Sequence, residues 1–65
     1  MISVIMPTYN EAGNIKELIL RTEKALKKDF EILVIDDNSP DGTANVVRTL
    51  QKERPYLRLI VREGK

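Results

Sequence analysis

The chain contains no cysteine and no histidine. The first absence removes disulfides and thiolate metal sites, and the second removes the usual imidazole ligands of zinc. Aromatic residues make up only 5% of the chain, too few to build stacking platforms for single-stranded nucleic acid. With 11 basic and 10 acidic side chains the net charge is +1, so no basic excess exists to draw in a phosphate backbone, and nucleic acid is not an expected partner. No stretch approaches the roughly 20 apolar residues of a membrane span. Met1–Met6 is too short for a signal peptide and lacks a basic leader, so the chain reads as soluble. Repeats, low-complexity tracts and linkers are missing as well. So are the phosphate cradles G-x-G-x-x-G and G-x-x-x-x-G-K-[ST], which speaks against a Rossmann dehydrogenase or a P-loop enzyme.

What remains is a short, highly charged chain. Sixty-five residues allow at most one domain, which at this size buries only about 60% of its unfolded surface. Charged residues reach 32%, a bias that hyperthermophile proteins share, although helix surfaces alone also raise the count.

Hydrophobic periodicity predicts an α/β order. Ile2–Met6 is a nearly continuous apolar run suited to a parallel strand, with Pro7 as its expected end. Ile15, Leu18, Ile19, Thr22, Ala25 and Leu26 then recur at helical spacing. Asn14 with Glu17 resembles a capping box, and Lys24, Lys27 and Lys28 crowd the far end, where cations complement the helix dipole. Phe30–Ile35 is a second strand running into Asp36. Ser39-Pro40-Asp41-Gly42 fits a type I turn, or alternatively Ser39 caps a helix with Pro40 at its first position. Ala44, Val46, Val47 and Leu50 form the inward side of a second helix, which Pro55 should stop near Arg54. Leu57–Val61 is a third, more alternating strand nearer an edge. The order β-α-β-α-β implies a parallel sheet with two right-handed crossovers. If the third strand lies outside the second, both helices cover one face and leave the other bare. Arg62-Glu63-Gly64-Lys65 stops within a polar loop, so residues 1–65 are expected to be the front part of a longer domain.

Two polar loops, each following a strand, are where an open α/β sheet would bind a ligand. They are Pro7-Thr8-Tyr9-Asn10-Glu11 and Asp36-Asp37-Asn38-Ser39-Pro40-Asp41-Gly42-Thr43. Their chemistry suits a nucleotide. A carboxylate such as Asp37 accepts hydrogen bonds from the N–H edge of a base, and guanine offers two adjacent donors. Tyr9 supplies a flat amphipathic ring, and Glu11 can accept from ribose or base. Plainer readings stand beside these. Pro7 terminates a strand, Tyr9 caps the sheet end, Glu11 is a solvated acid near a helix start, and Asp37 makes an Asx-turn. Asp36 reads as a buried acceptor for loop amides, and Asp41 and Thr43 as turn and cap residues. Arg62 and Lys65 either meet phosphates or form plain charged surface.

These loops closely resemble the amino-terminal part of family-2 glycosyltransferases with the GT-A fold, most of all the dolichyl-phosphate (polyprenyl-phosphate) mannosyltransferases. The resemblance runs in order over essentially the whole chain. P-T-Y-N-E is common to many family-2 enzymes, whereas D-D-N-S-P-D-G-T is more specific to the polyprenyl-phosphate branch. Val61–Lys65 looks like the start of that branch's next basic, glycine-containing loop. The resemblance implies a Rossmann-like nucleotide-sugar-binding domain in which Pro7, Tyr9, Glu11, Ile35 and Asp37 line the GDP-mannose site and Asp36 supports it. It further implies transfer of mannose to a polyprenyl phosphate with inversion, on the cytoplasmic side of a membrane, assisted by a divalent cation (Mg or Mn). The family's D-x-D metal motif follows a fourth strand and lies beyond Lys65. Asp36-Asp37 is not that motif, so no metal or catalytic residue is expected within this chain and the 65-mer alone should be inactive. The family's strand order, third-second-first-fourth, would leave Ile2–Met6 as an unpaired edge. Ile32, Val34, Leu57 and Leu59 are expected to supply apolar groups on the bare face, and the chain to self-associate or be only partly ordered.

Two other classes fit parts of the pattern. A phospho-acceptor receiver also places an acidic pair after a strand, but it needs a further Asp on the third strand, and Leu57–Arg62 has none. A non-catalytic nucleotide-binding or interaction module on the same sequence remains open, as does a family-2 transferase using another nucleotide sugar.

Overall fold

The computed structural model describes residues 1–63; Gly64 and Lys65, which end the expected basic loop, lie outside them. Five elements follow one another: β1 (Ile2–Thr8), α1 (Ile15–Leu26), β2 (Phe30–Asp36), α2 (Thr43–Gln51) and β3 (Leu57–Val61). The strands form one parallel sheet in the order β1-β2-β3. Both outer strands are edges, and the long crossover between each parallel pair is a helix.

Strand β1 does not end at Pro7 as the sequence suggests; it runs two residues further than Met6, to Thr8. The Ile2 N–H donates to the Asp29 carbonyl at 2.9 Å, and the Thr8 carbonyl accepts from the Asp37 N–H at 3.1 Å. Even-numbered backbone groups of β1 therefore face β2, and odd-numbered ones face the outer edge. Pro7 lacks an N–H only where no partner strand stands, so it costs no ladder bond.

Register decides which side chains are buried. Val4, Met6 and Thr8 lie opposite Ile32, Val34 and Asp36, and Ile32 and Val34 lie opposite Leu57 and Leu59. This set faces both helices. Met6, Ile32, Val34 and Leu57 join Ile15 and Ile19 of α1 and Val47 and Leu50 of α2 in one core, with Leu59 packed against it. The expectation that Ile32, Val34, Leu57 and Leu59 would lie on the bare face is thus overturned by one step of strand alternation. Ile5, Leu33, Ile35 and Ile60 occupy that face instead, with Ile5 at 60% and Ile60 at 49% exposure. One end of it carries a polar row in which Ser3 Oγ and Arg58 Nε both donate to Glu31, at 2.7 and 3.2 Å.

The helices differ from expectation in detail. Asn14 precedes α1 but makes no side-chain cap, and Glu17 pairs with Arg21 instead of closing a capping box. The Glu11 carbonyl already accepts from the Asn14 and Ile15 N–H groups at 2.9 and 2.8 Å, giving the helix its entry turn. Leu18 and Ala25, seven residues apart, share one flank of the apolar stripe and face outward. Helix α2 starts at Thr43, so Pro40 is not its first residue. Gly42 precedes it with φ of 89°, a left-handed value that glycine adopts without strain. The helix ends at Gln51, but turn hydrogen bonds from the N–H groups of Glu53 and Arg54 carry the chain on to Pro55. There Arg54 clasps Glu23 of α1 at 3.1 and 3.4 Å.

The face assignment can be tested by substitution. Ile32→Ala should cost about 2–5 kcal/mol, against a total of about 3–10 kcal/mol for a domain of this length, and should move the urea transition to much lower denaturant. Ile5→Ser should leave the unfolding free energy within about 0.5 kcal/mol of wild type. Equal losses from both substitutions would mean that the sheet buries its two faces alike.

Candidate functional site

Strands β1 and β2 end level with each other, Thr8 opposite Asp36. Each chain then leaves its strand in the same way. Tyr9 and Asp37 come next, followed by an asparagine in the left-handed region, Asn10 at φ 56° and Asn38 at φ 57°. Asparagine tolerates that region better than most residues. The repeated step turns both loops over the carboxyl ends of the strands.

Three successive amides of the first loop are held by side chains of the second. Asn10 N–H donates to Ser39 Oγ at 2.8 Å, Glu11 N–H to Thr43 Oγ1 at 2.9 Å, and Ala12 N–H to Asp41 Oδ2 at 3.1 Å. Both hydroxyls in turn give their protons to carboxylates, Ser39 to Asp36 Oδ1 and Thr43 to Asp41 Oδ1, each at 2.6 Å. Asp36 also accepts from Thr8 Oγ1 at 2.9 Å and from the Ser39 N–H at 2.8 Å. Asp41 further accepts from the Thr43 N–H at 3.1 Å.

Asp36 and Thr43 are fully buried. Burial, the largest single influence on Asp36, works to raise its pKa. The hydrogen bonds from the Ser39 hydroxyl, the Ser39 amide and Thr8 together outweigh burial and the nearby charge of Asp41, so the carboxyl is held below its ordinary value. Asp41 is exposed and is also held below its ordinary value, first by the Thr43 hydroxyl and against some burial, with help from the amides of Ala12 and Thr43.

The residues singled out in the sequence divide into two groups. Pro7 and Ile35 are register partners on the uncovered face of the sheet, and Asp37 follows on the same side. Tyr9, at 55% exposure, and the half-buried Glu11 stand in the loop above them. These five therefore gather at the carboxyl end of β1 and β2. Asp36 points the other way, into the protein. Asp37 is exposed, and its Oδ1 lies 3.5 Å from Arg62 Nε just past β3. Ser39, Asp41 and Thr43 do more than shape a turn, because each also accepts an amide of the opposite loop. Two hydroxyl residues placed after a strand in register with another polar loop were the available signal.

A separate hollow of about 480 Å³ lies at the opposite end of the sheet, between the end of α1 and the Phe30–Tyr56 ring pair. It is edged by charges of both signs, and lies away from the strand ends where ligands of open α/β sheets bind. The loop site has the better chemical claim.

The sequence profile described as Glycosyl transferase family 2 matches residues 3–65. The chain belongs to that family, and its parallel β-α-β-α-β layer is the GT-A, Rossmann-like arrangement. It is similar to a dolichol-phosphate mannosyltransferase of Pyrococcus furiosus, with 46% identity over 55 residues, covering 83% of this chain and 16% of that protein. It is also similar to an undecaprenyl-phosphate 4-deoxy-4-formamido-L-arabinose transferase of Pseudomonas fluorescens, with 37% identity over 65 residues, covering 92% and 19%. Among solved structures it matches the mannosyltransferase PcManGT from Pyrobaculum calidifontis in complex with GDP-Man and Mn2+. That match has a TM-score of 0.77 and 32% identity, over 98% of this chain and 20% of the other. The chain thus spans a fifth or less of the length of these relatives.

The lowered pKa of Asp36 sets a pH dependence. A carboxyl more acidic in the folded than in the unfolded state binds fewer protons when folded, so it stabilises the fold above its unfolded pKa. That contribution is lost as pH falls below the ordinary value of 3.8 and through the folded value. Wild type should lose stability steeply below about pH 4. Asp36→Asn should be less stable at neutral pH, since its amide sets donors against donors, and should show a shallower acid slope. Parallel curves of unfolding free energy against pH for the two proteins would contradict the assigned ionisation.

Proposed function

We propose that the chain is the donor-nucleotide-binding front part of a longer GT-A domain, in an enzyme that transfers mannose from GDP-mannose to dolichyl or another polyprenyl phosphate. The observation that carries this reading is the exposed Asp37 carboxylate at the strand ends. Asp37 and Tyr9 each stand one residue past paired strand ends, and they do so in a chain that aligns over 98% of its length with a mannosyltransferase bound to GDP-Man and Mn2+. The names of the two curated relatives share a polyprenyl phosphate and differ in sugar, which supports the acceptor class more firmly than the mannose. A family-2 transferase of another sugar is accordingly the second reading.

In this proposal Asp37 accepts the two adjacent N–H donors of guanine, whereas uracil offers one. Tyr9 lies along the base or ribose, Glu11 accepts from ribose hydroxyls, and Pro7 and Ile35 form an apolar floor from neighbouring strands. Asp36 supports the loop from below. The acceptor phosphate is already an anion, so its attack on the anomeric carbon needs no strong general base.

A divalent cation would offset charge on the leaving diphosphate, but these residues do not fit one. Asp36 and Asp41 spend their oxygens on hydroxyls and amides. Among the described residues, no group of three or more His, Cys, Asp or Glu is placed to hold an ion. Nor is any helix among them long and apolar enough to cross a membrane. In the proposal, attachment to the cytoplasmic side of a membrane comes with the lipid acceptor. The row Ile5, Leu33, Ile35 and Ile60 supports self-association of the chain when it is alone; sedimentation as a monomer would remove that part.

In the intact enzyme, Asp37→Ala should weaken GDP binding by about one to two orders of magnitude and narrow the preference for GDP over UDP, with the melting temperature unchanged. Titration calorimetry with both nucleotides measures this. An unaltered GDP affinity would falsify the role of Asp37, and a wild type that prefers UDP would favour the second reading.

A further inference from the structure

We infer that Ser39 and Thr43 are positioning residues for the first loop, each oriented by its own carboxylate. This inference rests on the proposed nucleotide site and names what holds that site in shape. The first loop places Tyr9 and Glu11, yet the amides of Asn10, Glu11 and Ala12 all donate across to the second loop. A hydroxyl can donate or accept, so by itself it gives such an amide no fixed direction. Here the choice is removed. The Ser39 proton is taken by Asp36 and the Thr43 proton by Asp41, both at 2.6 Å. Each hydroxyl is left with lone pairs turned to the first loop, and an ionised carboxylate makes the short, stronger kind of hydrogen bond that enforces this. Two relays run side by side, from Asn10 N–H through Ser39 to Asp36 and from Glu11 N–H through Thr43 to Asp41. Asp41 closes a third contact directly to Ala12.

Position along the chain makes the arrangement act on binding as well as on folding. Glu11 contributes its amide to the Thr43 relay while its carboxylate is a proposed ligand contact. Tyr9 is flanked by Thr8, which donates to Asp36, and Asn10, which donates to Ser39. The backbone that carries both proposed contacts is thereby fixed before a nucleotide arrives, and loss of a relay must be made good from binding energy.

The variants Thr43→Val and Thr43→Ser separate positioning from bulk. Valine keeps the volume of the buried side chain and deletes the acceptor, while serine keeps the hydroxyl. In the intact protein, amide hydrogen exchange is read at Asn10, Glu11 and Ala12, and GDP affinity by calorimetry. Thr43→Val should speed exchange of the Glu11 amide about tenfold or more relative to core amides of β2, and weaken GDP binding about threefold to tenfold. Thr43→Ser should restore both. Ser39→Ala should do the same at Asn10, giving a second variant at an exposed contact should valine impair folding. Unchanged exchange at Glu11 and Asn10 in these variants overturns the relays whatever the nucleotide result. Faster exchange with undiminished GDP affinity overturns their part in positioning. A wild type that shows protected amides but binds no GDP overturns the proposed site and, with it, the positioning role, while leaving the relays in place.

Discussion

A buried carboxylate with no cation beside it among the described residues is the constraint around which this fold is arranged. Asp36 ends the central strand with no exposed surface, and such a charge is tolerated inside a protein only when its lone pairs are filled. Thr8 reaches it from the neighbouring strand, and Ser39 folds back to it with both amide and hydroxyl. Filling those lone pairs fixes where the second loop must run. The loop, once fixed, offers its remaining oxygens to the first. A local demand for solvation of one charge thereby becomes the geometry of two loops and of the entry to two helices. Arg62 donates its amide to the carbonyl of the same Asp36 at 2.8 Å, so the third strand is tied to this point as well.

The elements themselves were legible because each carries its own period. Phe30–Asp36 and Leu57–Val61 appear where β-branched runs predict them, and the valine and leucine spacing of α2 survives intact. Ambiguity entered where the answer depends on a neighbour. Both faces of these strands are apolar, so alternation alone could not tell Ile32 and Val34 from Leu33 and Ile35. Only the helices, packing on one side, decide. Pro7 ends a strand unless its ring nitrogen happens to face outward, which depends on strand order. The Asn14–Glu17 box failed because the Glu11 carbonyl had already served the first donors of α1.

Within the site, the two loops and the division between a buried Asp36 and an exposed Asp37 could be read from residue type and position after a strand. The contacts between loops could not. Ser, Asp and Thr in a turn are sufficiently explained by the turn itself, and nothing in a single chain of letters shows that Ser39 Oγ stands 2.8 Å from an amide 29 residues earlier. The signal is conditional. Once two polar loops are known to leave adjacent parallel strands at the same level, small hydroxyls in one become natural acceptors for the stretched backbone of the other.

The outward-facing proline of β1 has a further consequence. A strand laid along that edge would find backbone donors at Ser3 and Ile5, and only a carbonyl at Pro7. Pairing would lose its footing two residues before Tyr9 and the two chains would begin to part. A fork of that kind, at the carboxyl ends of parallel strands, is where open α/β sheets seat their ligands. On this view Pro7 acts as a zipper stop, setting the depth at which an edge of sheet becomes the lip of a crevice.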